Sequence, residues 1–200
     1  MKFSRGHNTY QIKELTPADC DAVASWFDHS HVHKWFDFGM GRQKLDAVSL
    51  RMMSASPDHF VRVIVDEQNR RHAVCGLQQV RNPFRVAQFW GIRQMVRPPA
   101  PVRHVEAVRV VFRQAFQLFK LSSIQAWAVE GNMKSIRLLE QLGFKQCGRL
   151  RRCHLIDGTY LDRIMYDLLP EEFELGQPVN DGTANMMSHE SITNEEVNHG

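Results

Sequence analysis

The chain lacks any run approaching the roughly 18 apolar residues of a membrane span, and its opening residues, MKFSRGHNTY, lack the apolar core of a signal peptide. Those absences lead us to expect a soluble, cytoplasmic protein with no membrane partner. Only four cysteines occur, Cys20, Cys75, Cys147 and Cys153. Apart from the C-x5-C pair they lie far apart, so free thiols are expected rather than a zinc framework or a disulfide scaffold. There is no internal repeat. From Glu171 to Gly200 there is neither Lys nor Arg. What remains is ordinary for a globular protein: 200 residues, 43% hydrophobic and 24% charged, enough for one domain with an appendage.

The missing basic residues at the C-terminal end give the charge a direction. The formal net charge is +3, but Glu171–Gly200 carries seven acidic residues, which leaves 25 basic against 15 acidic in residues 1–170. A body of +10 favours an anionic partner such as a phosphate-bearing cofactor or metabolite. No nucleic-acid motif and no aromatic–basic interleaving is present, so nucleic acid is not the expected partner. From Gly176 onward the sequence has no aromatic residue, little apolar content and no periodicity. A domain over residues 1–175 followed by a disordered acidic tail over 176–200 is therefore expected.

Hydrophobic period and punctuation divide residues 1–175 into alternating strands and helices. Thr9–Leu15 reads as a strand, and Thr16-Pro17 starts a helix to about Phe27. Gln43–Ser54 is a second helix. Phe60–Asp66, Ala73–Val80 and Val86–Met95 form an antiparallel meander. Val102–Leu118 is helical, Ile124–Val129 is a buried strand, and Asn132 caps a helix that Gly143 ends. Lys145–Ile156 and Thr159–Leu169 form a hairpin around Asp157-Gly158. The expected fold is α/β, a mixed and mostly antiparallel central sheet flanked by helices, with a C-terminal β-hairpin.

Two stretches carry more. Asn132–Phe144 reads NMKSIRLLEQLGF, and Gly148–Phe173 reads GRLRRCHLIDGTYLDRIMYDLLPEEF. They resemble the GCN5-related N-acetyltransferase (GNAT) superfamily, in particular its ribosomal-protein N-terminal acetyltransferase (RimJ/RimL-like) branch. The branch pattern is N-x-x-S-x-x-L-L-E-x-L-G-F, then G-x-L-R, then D-G-x-Y-x-D-x-x-x-Y-x-L-L-x-x-E-aromatic. Asn132, Ser135, Glu140, Gly143, Phe144, Gly148, Arg151, Asp157, Gly158, Tyr160, Asp162, Tyr166, Glu172 and Phe173 are among the matches.

The resemblance implies a sheet splayed between its fourth and fifth strands, with acetyl-CoA as co-substrate and an amine as acceptor. The pantetheine arm is expected along Val86–Met95, and the pyrophosphate at the N-terminus of the next helix. Met95, Val96, Val102, Arg103, His104 and Asn132 are the implied cofactor-binding positions. The implied chemistry is direct attack of a primary amine, on a protein N-terminus, an amino sugar or a small metabolite, upon the thioester. Ser135 stands where a hydroxyl can protonate the leaving thiolate; it reads equally as a plain helix-surface or capping serine. His31, Trp35 and Phe36 fall where the acceptor site of the superfamily forms, although core packing explains such aromatics as well.

One stretch departs from the pattern. The family phosphate loop, Q/R-x-x-G-x-G/A, is replaced by Pro98-Pro99-Ala100-Pro101-Val102-Arg103-His104, which has no glycine and runs about two residues shorter. Three prolines remove three backbone donors. Two readings follow: phosphate held by the amides of Val102–His104 with the Arg103 side chain, or a catalytically degenerate binding or regulatory protein that has lost normal CoA binding. No residue stands out as the general base; Glu130, His72, Glu67, His31 and His33 all have the chemistry. His29-x-His31-x-His33 has no Cys or carboxylate to complete a convincing metal set, so no metal is expected. The sequence is compatible with a monomer or a homodimer.

Overall fold

A computed structural model describes residues 2–3, 10–94 and 104–175. The expected acidic tail, and Met95, Val96, Val102 and Arg103, lie outside the described residues. The described elements run β1 (Lys2–Phe3), β2 (Tyr10–Lys13), α1 (Pro17–Ala24), α2 (Ser30–His33), α3 (Ala47–Ala55), β3 (His59–Asp66), β4 (Arg71–Gln78) and β5 (Val86–Arg93). They continue with α4 (His104–Phe119), β6 (Ser123–Val129), α5 (Met133–Leu142), β7 (Lys145–Ile156), β8 (Thr159–Leu168) and α6 (Pro170–Leu175). The strands form one sheet in the order β1-β2-β3-β4-β5-β6-β8-β7. Every neighbouring pair is antiparallel except β5 and β6.

Local chemistry explains where the elements start and stop. Thr16 closes a capping box with Asp19: its backbone N–H donates to Asp19 Oδ2 at 2.8 Å, and its hydroxyl accepts from the Asp19 amide at 3.3 Å. Helix α1 then gives way at Ala24 to a 3-10 turn over Ser25–Asp28, which carries the expected helix on to Trp26 and Phe27 in a tighter form. The second helix starts four residues later than the apolar pattern suggests. Asp46 accepts from the Ser49 amide at 2.7 Å and so fixes the N-terminus there. Three elements have no counterpart in the sequence reading, β1, α2 and α6. In α6, Phe173 packs 5.5 Å from Phe116, which anchors the C-terminal end of the domain in the core. The β7–β8 turn places Asp157 and Gly158 at φ 49° and 79°, the two positive values that a tight hairpin demands.

The sheet separates two cores. On one side α4 and α5 cover Phe89, Ala126 and Tyr166, with Phe112 in edge contact with Phe89 at 4.9 Å. On the other, α1 and α3 cover Val61, Val63, Val74 and Trp90, together with Phe27 and Leu50. Trp90 lies so close over β4 that a Cβ on Gly76 would stand 2.1 Å from its indole nitrogen. Only glycine fits there.

Gly76→Ala is therefore expected to lower stability by about 1–3 kcal/mol through overpacking, read as a fall in unfolding midpoint. Gly131→Ala meets no atom, but its positive φ makes it the weaker comparison; an exposed Ser-to-Ala change such as Ser25→Ala is the better control.

Candidate active site

The ladder between β5 and β6 closes early. Val86, Ala87 and Gln88 pair with Ser123, Ile124 and Gln125, and no further pair forms. Beyond Gln88, β5 stays hydrogen-bonded to β4 as far as Arg93, while β6 stays bonded to β8 as far as Val129. The two halves of the sheet thus diverge into a cleft. Along it, the β5 backbone from Phe89 to Arg93 has no strand partner on the β6 side among the described residues.

A helix starts near each arm of the cleft. α5 begins four residues beyond the end of β6, capped by Asn132, whose Oδ1 accepts from the Ser135 amide at 3.3 Å. Ser135 is half-buried in the first turn of α5, while Leu139, one turn further on, is buried in the core. α4 begins at His104, with the connecting residues 95–103 outside the described set. Burial, with the Arg93 charge nearby, depresses the pKa of His104 to about 4. His104 is accordingly neutral at pH 7, and anion attraction at this helix start falls to the backbone dipole and to arginines.

On the face covered by α1 and α3, one segment crosses the cleft. Phe38 makes edge contact with Trp90 of β5 at 5.5 Å. Its neighbour Asp37 accepts from Arg163 of β8 at 2.7 Å, and the Lys34 carbonyl accepts from His154 of β7 at 2.7 Å. Arg163 also lies over the Trp127 ring of β6, 4.2 Å from its centroid. Asp37 turns the segment as well, accepting from the amides of Gly39 and Gly41 at 2.8 and 3.0 Å. Burial alone would raise the Asp37 pKa, but Arg163 and the two glycine amides outweigh it, so the carboxyl sits below its ordinary range.

The residues expected at the acceptor site divide. Phe36 packs 5.3 Å from Phe27 in the second core. Trp35 is half-buried, and its indole N–H donates to the His31 carbonyl at 3.0 Å. His31 itself is exposed, its ring 5.3 Å from that of His29. The histidine triplet straddles the helix Ser30–His33 rather than a strand, and among the described residues no group of three or more side chains is placed to hold a metal. Glu130 is committed: one carboxylate oxygen binds Arg149 and the other accepts from the Asp162 amide at 3.1 Å. His72 pairs with Asp66 at 2.9 Å, in the β3–β4 turn. Four residues at the cleft escaped sequence reasoning, namely Trp90, Trp127, His154 and Arg163. No local motif marks them, because they meet only through pairings distant in sequence.

Comparison with known proteins fits this geometry. Residues 11–145 match the acetyltransferase (GNAT) domain family. The chain belongs to that family. The SPbeta prophage-derived uncharacterized N-acetyltransferase YokL of Bacillus subtilis (strain 168) is 36% identical over 70 residues, 35% of this chain and 40% of that relative. The chain thus matches well under two thirds of that relative's length. The spermidine N-acetyltransferase of Vibrio cholerae, solved in complex with CoA and spermine, superposes with a TM-score of 0.71 at 16% identity, covering 82% of this chain and 98% of that one. The ribosomal-protein-S5-alanine acetyltransferase of Vibrio fischeri gives 0.67 at 20% identity, covering 86% and 98%. These likenesses establish a GNAT fold, to which the parted sheet belongs.

For His104, an imidazole resonance titrating near pH 4 rather than 6.5 is expected by NMR. Because the folded value is depressed, its contribution to stability is complete above about pH 6.5 and is lost as pH falls toward 4. Replacement by Gln should flatten the stability profile across that window.

Proposed function

We propose that the chain is an acyl-CoA-dependent N-acetyltransferase that transfers acetyl to the primary amine of a weakly charged acceptor such as a protein N-terminus or a small metabolite. One observation carries the reading. On its β6-facing side, the β5 backbone has no strand partner from Phe89 to Arg93 among the described residues, along a cleft that has α4 beginning beyond one arm and α5 beyond the other. An extended arm bearing amides binds such an edge as an added strand would, through main-chain hydrogen bonds. The amides at the start of α4 suit an anion, and Asn132 suits the arm where it passes α5.

The reaction needs little covalent help from the protein. The neutral amine nitrogen bonds to the thioester carbon, and a strand N–H on β5 stabilises the oxyanion. The C–S bond then breaks, the thiolate takes a proton from the Ser135 hydroxyl, and the ammonium proton passes through water to restore that hydroxyl. With Glu130 held by Arg149 and by the Asp162 amide, a water relay serves better than that carboxylate as base.

Charge on the acceptor side separates candidate amines. Between Phe27 and Ala47 the carboxylates are Asp28, Asp37 and Asp46, and each already faces a cation: Lys44 at 3.9 Å, Arg163 at 2.7 Å and Arg42 at 3.7 Å. A polyamine gains little from a surface so balanced, whereas a single α-amine needs no such field. This favours an acceptor unlike the spermine bound by the Vibrio cholerae enzyme. The rival reading, a non-catalytic binding protein, draws on Pro98, Pro99 and Pro101.

Calorimetry with acetyl-CoA decides between the two. Binding in the micromolar range and thiol release with peptide amines are expected, with spermidine a poor acceptor; no heat at near-millimolar ligand on folded protein would sink the enzyme reading. Ser135→Ala is expected to lower kcat by about 10²-fold with acetyl-CoA affinity kept.

A further inference from the structure

The contacts that span the cleft form a closed chain: the Lys34 carbonyl to His154, His154 to Arg163, and Arg163 to Asp37. His154 is only 3% exposed. Its Nδ1 stands 3.0 Å from Arg163 Nη2 and 3.3 Å from Nε, and a guanidinium offers only donors. Nδ1 must therefore be the acceptor, which puts the ring proton on Nε2, where it donates to Lys34. The geometry admits only neutral His154. A second proton would sit on Nδ1 against the arginine's own N–H groups.

A defect in the hairpin delivers this histidine. Leu150 pairs with Arg163 and His154 with Leu161, so four steps on β7 match two on β8. The bulge at residues 151–153 brings His154 to the place that Arg152 would hold in a regular ladder, on the same face as Arg163. Asp162 secures it, accepting from the Arg152 amide at 2.8 Å and from Arg149 Nε at 2.5 Å. An irregularity held this firmly is a feature of the fold, and its product is a His–Arg pair beside the cleft, the histidine buried and the arginine partly so.

We propose that Arg163 and neutral His154 act as a latch that positions the 34–42 segment across the cleft, and so govern capture of the acceptor amine without touching the reacting atoms. The proposal rests on the acetyltransferase reading only for its kinetic arm. Both are positioning residues. The charged groups facing His154 are Arg163 from β8 and Asp37 from the segment itself, beside the Lys34 carbonyl and the Trp127 ring. Of these charges Arg163 opposes protonation, as burial does, while Asp37, paired with Arg163, favours it only weakly. As pH falls the ring charges, repels Arg163, and the segment is released. Burial, opposed by the Lys34 carbonyl and reinforced by Arg163, already holds His154 below its ordinary range.

The test uses the full chain and three readouts. Hydrogen exchange at the Gly39 and Gly41 amides, corrected for the intrinsic pH dependence, reports the latch without any ligand. Steady-state kinetics report KM for a peptide amine and kcat, and calorimetry reports acetyl-CoA affinity. Arg163→Gln is expected to speed exchange at Gly39 and Gly41 and raise amine KM by about tenfold, the loss of one charge-assisted bond, with acetyl-CoA affinity unchanged. Arg163→Lys should recover part of both. Wild type should show the same rises as pH is lowered below the ordinary histidine range, and His154→Gln should remove that pH dependence. Unchanged exchange in Arg163→Gln, or an acetyl-CoA affinity that falls in step with amine KM, overturns the latch. If a variant does not fold, exchange in wild type from about pH 7 down to about pH 4.5, below the ordinary histidine range, decides: a rise at Gly39 and Gly41 supports the latch and a profile flat throughout overturns it. Failure of wild type to bind acetyl-CoA refutes the enzyme reading and leaves the exchange result standing by itself.

Discussion

A parallel pair of strands inside an otherwise antiparallel sheet sets the terms for this molecule. β5 and β6 share only three residue pairs before they separate. Each is then held from its outer side, β5 by β4 and β6 by β8. Two separate cores keep the arms in place, one beneath α4 and α5 and the other beneath α1 and α3. Had β5 continued beside β6, its backbone groups from Phe89 onward would be satisfied within the sheet, and no edge would be left for a ligand. The cleft is thus an interruption of pairing within a well-packed frame. The ends of the strands, and the helices that follow them, inherit their places from it.

Bridging contacts then turn an opening into a site. The segment from Lys34 to Arg42 packs Phe38 on the β5 arm and ties Asp37 and Lys34 to the terminal hairpin. Most of its polar groups are already engaged, so it has defined geometry without being part of either sheet half. Charge follows the same economy: the carboxylates in this region face cations, and His104 at the start of α4 is neutral.

Local signals in the sequence carried most of the scaffold. Capping at Thr16 and Asn132, the Asp157-Gly158 turn and the meander of β3 to β5 are properties of neighbouring residues, and each appears in the structure, with β4 two residues earlier than expected and β3 and β4 buried almost continuously because the sheet is covered on both faces. The GNAT resemblance likewise rested on contiguous residues, now seen as α5 and the β7–β8 hairpin. What stayed hidden depends on register and distance. Nothing in RLRRCHL announces a bulge, so His154 was not foreseen beside Arg163. Asp37 carries no local signal of its role, because its partner lies 126 positions away. His31, Trp35 and Phe36, expected at the acceptor site with core packing as the alternative for the aromatics, occupy three settings: solvent, half-buried surface and the edge of the second core. Pro98–Pro101 falls outside the described residues, so the departure from the family loop keeps its weight as a sequence observation.

We propose the β6-facing edge of β5, beyond Gln88, as the seat of the acyl donor. Backbone hydrogen exchange with and without saturating acetyl-CoA tests it directly, at the level of single amides. Protection is expected at the β6-facing amides of Phe89–Arg93 and at the start of α4, with Val86–Gln88 unchanged because they are already paired. Saturating ligand that leaves Phe89–Arg93 as exchangeable as before would contradict the account.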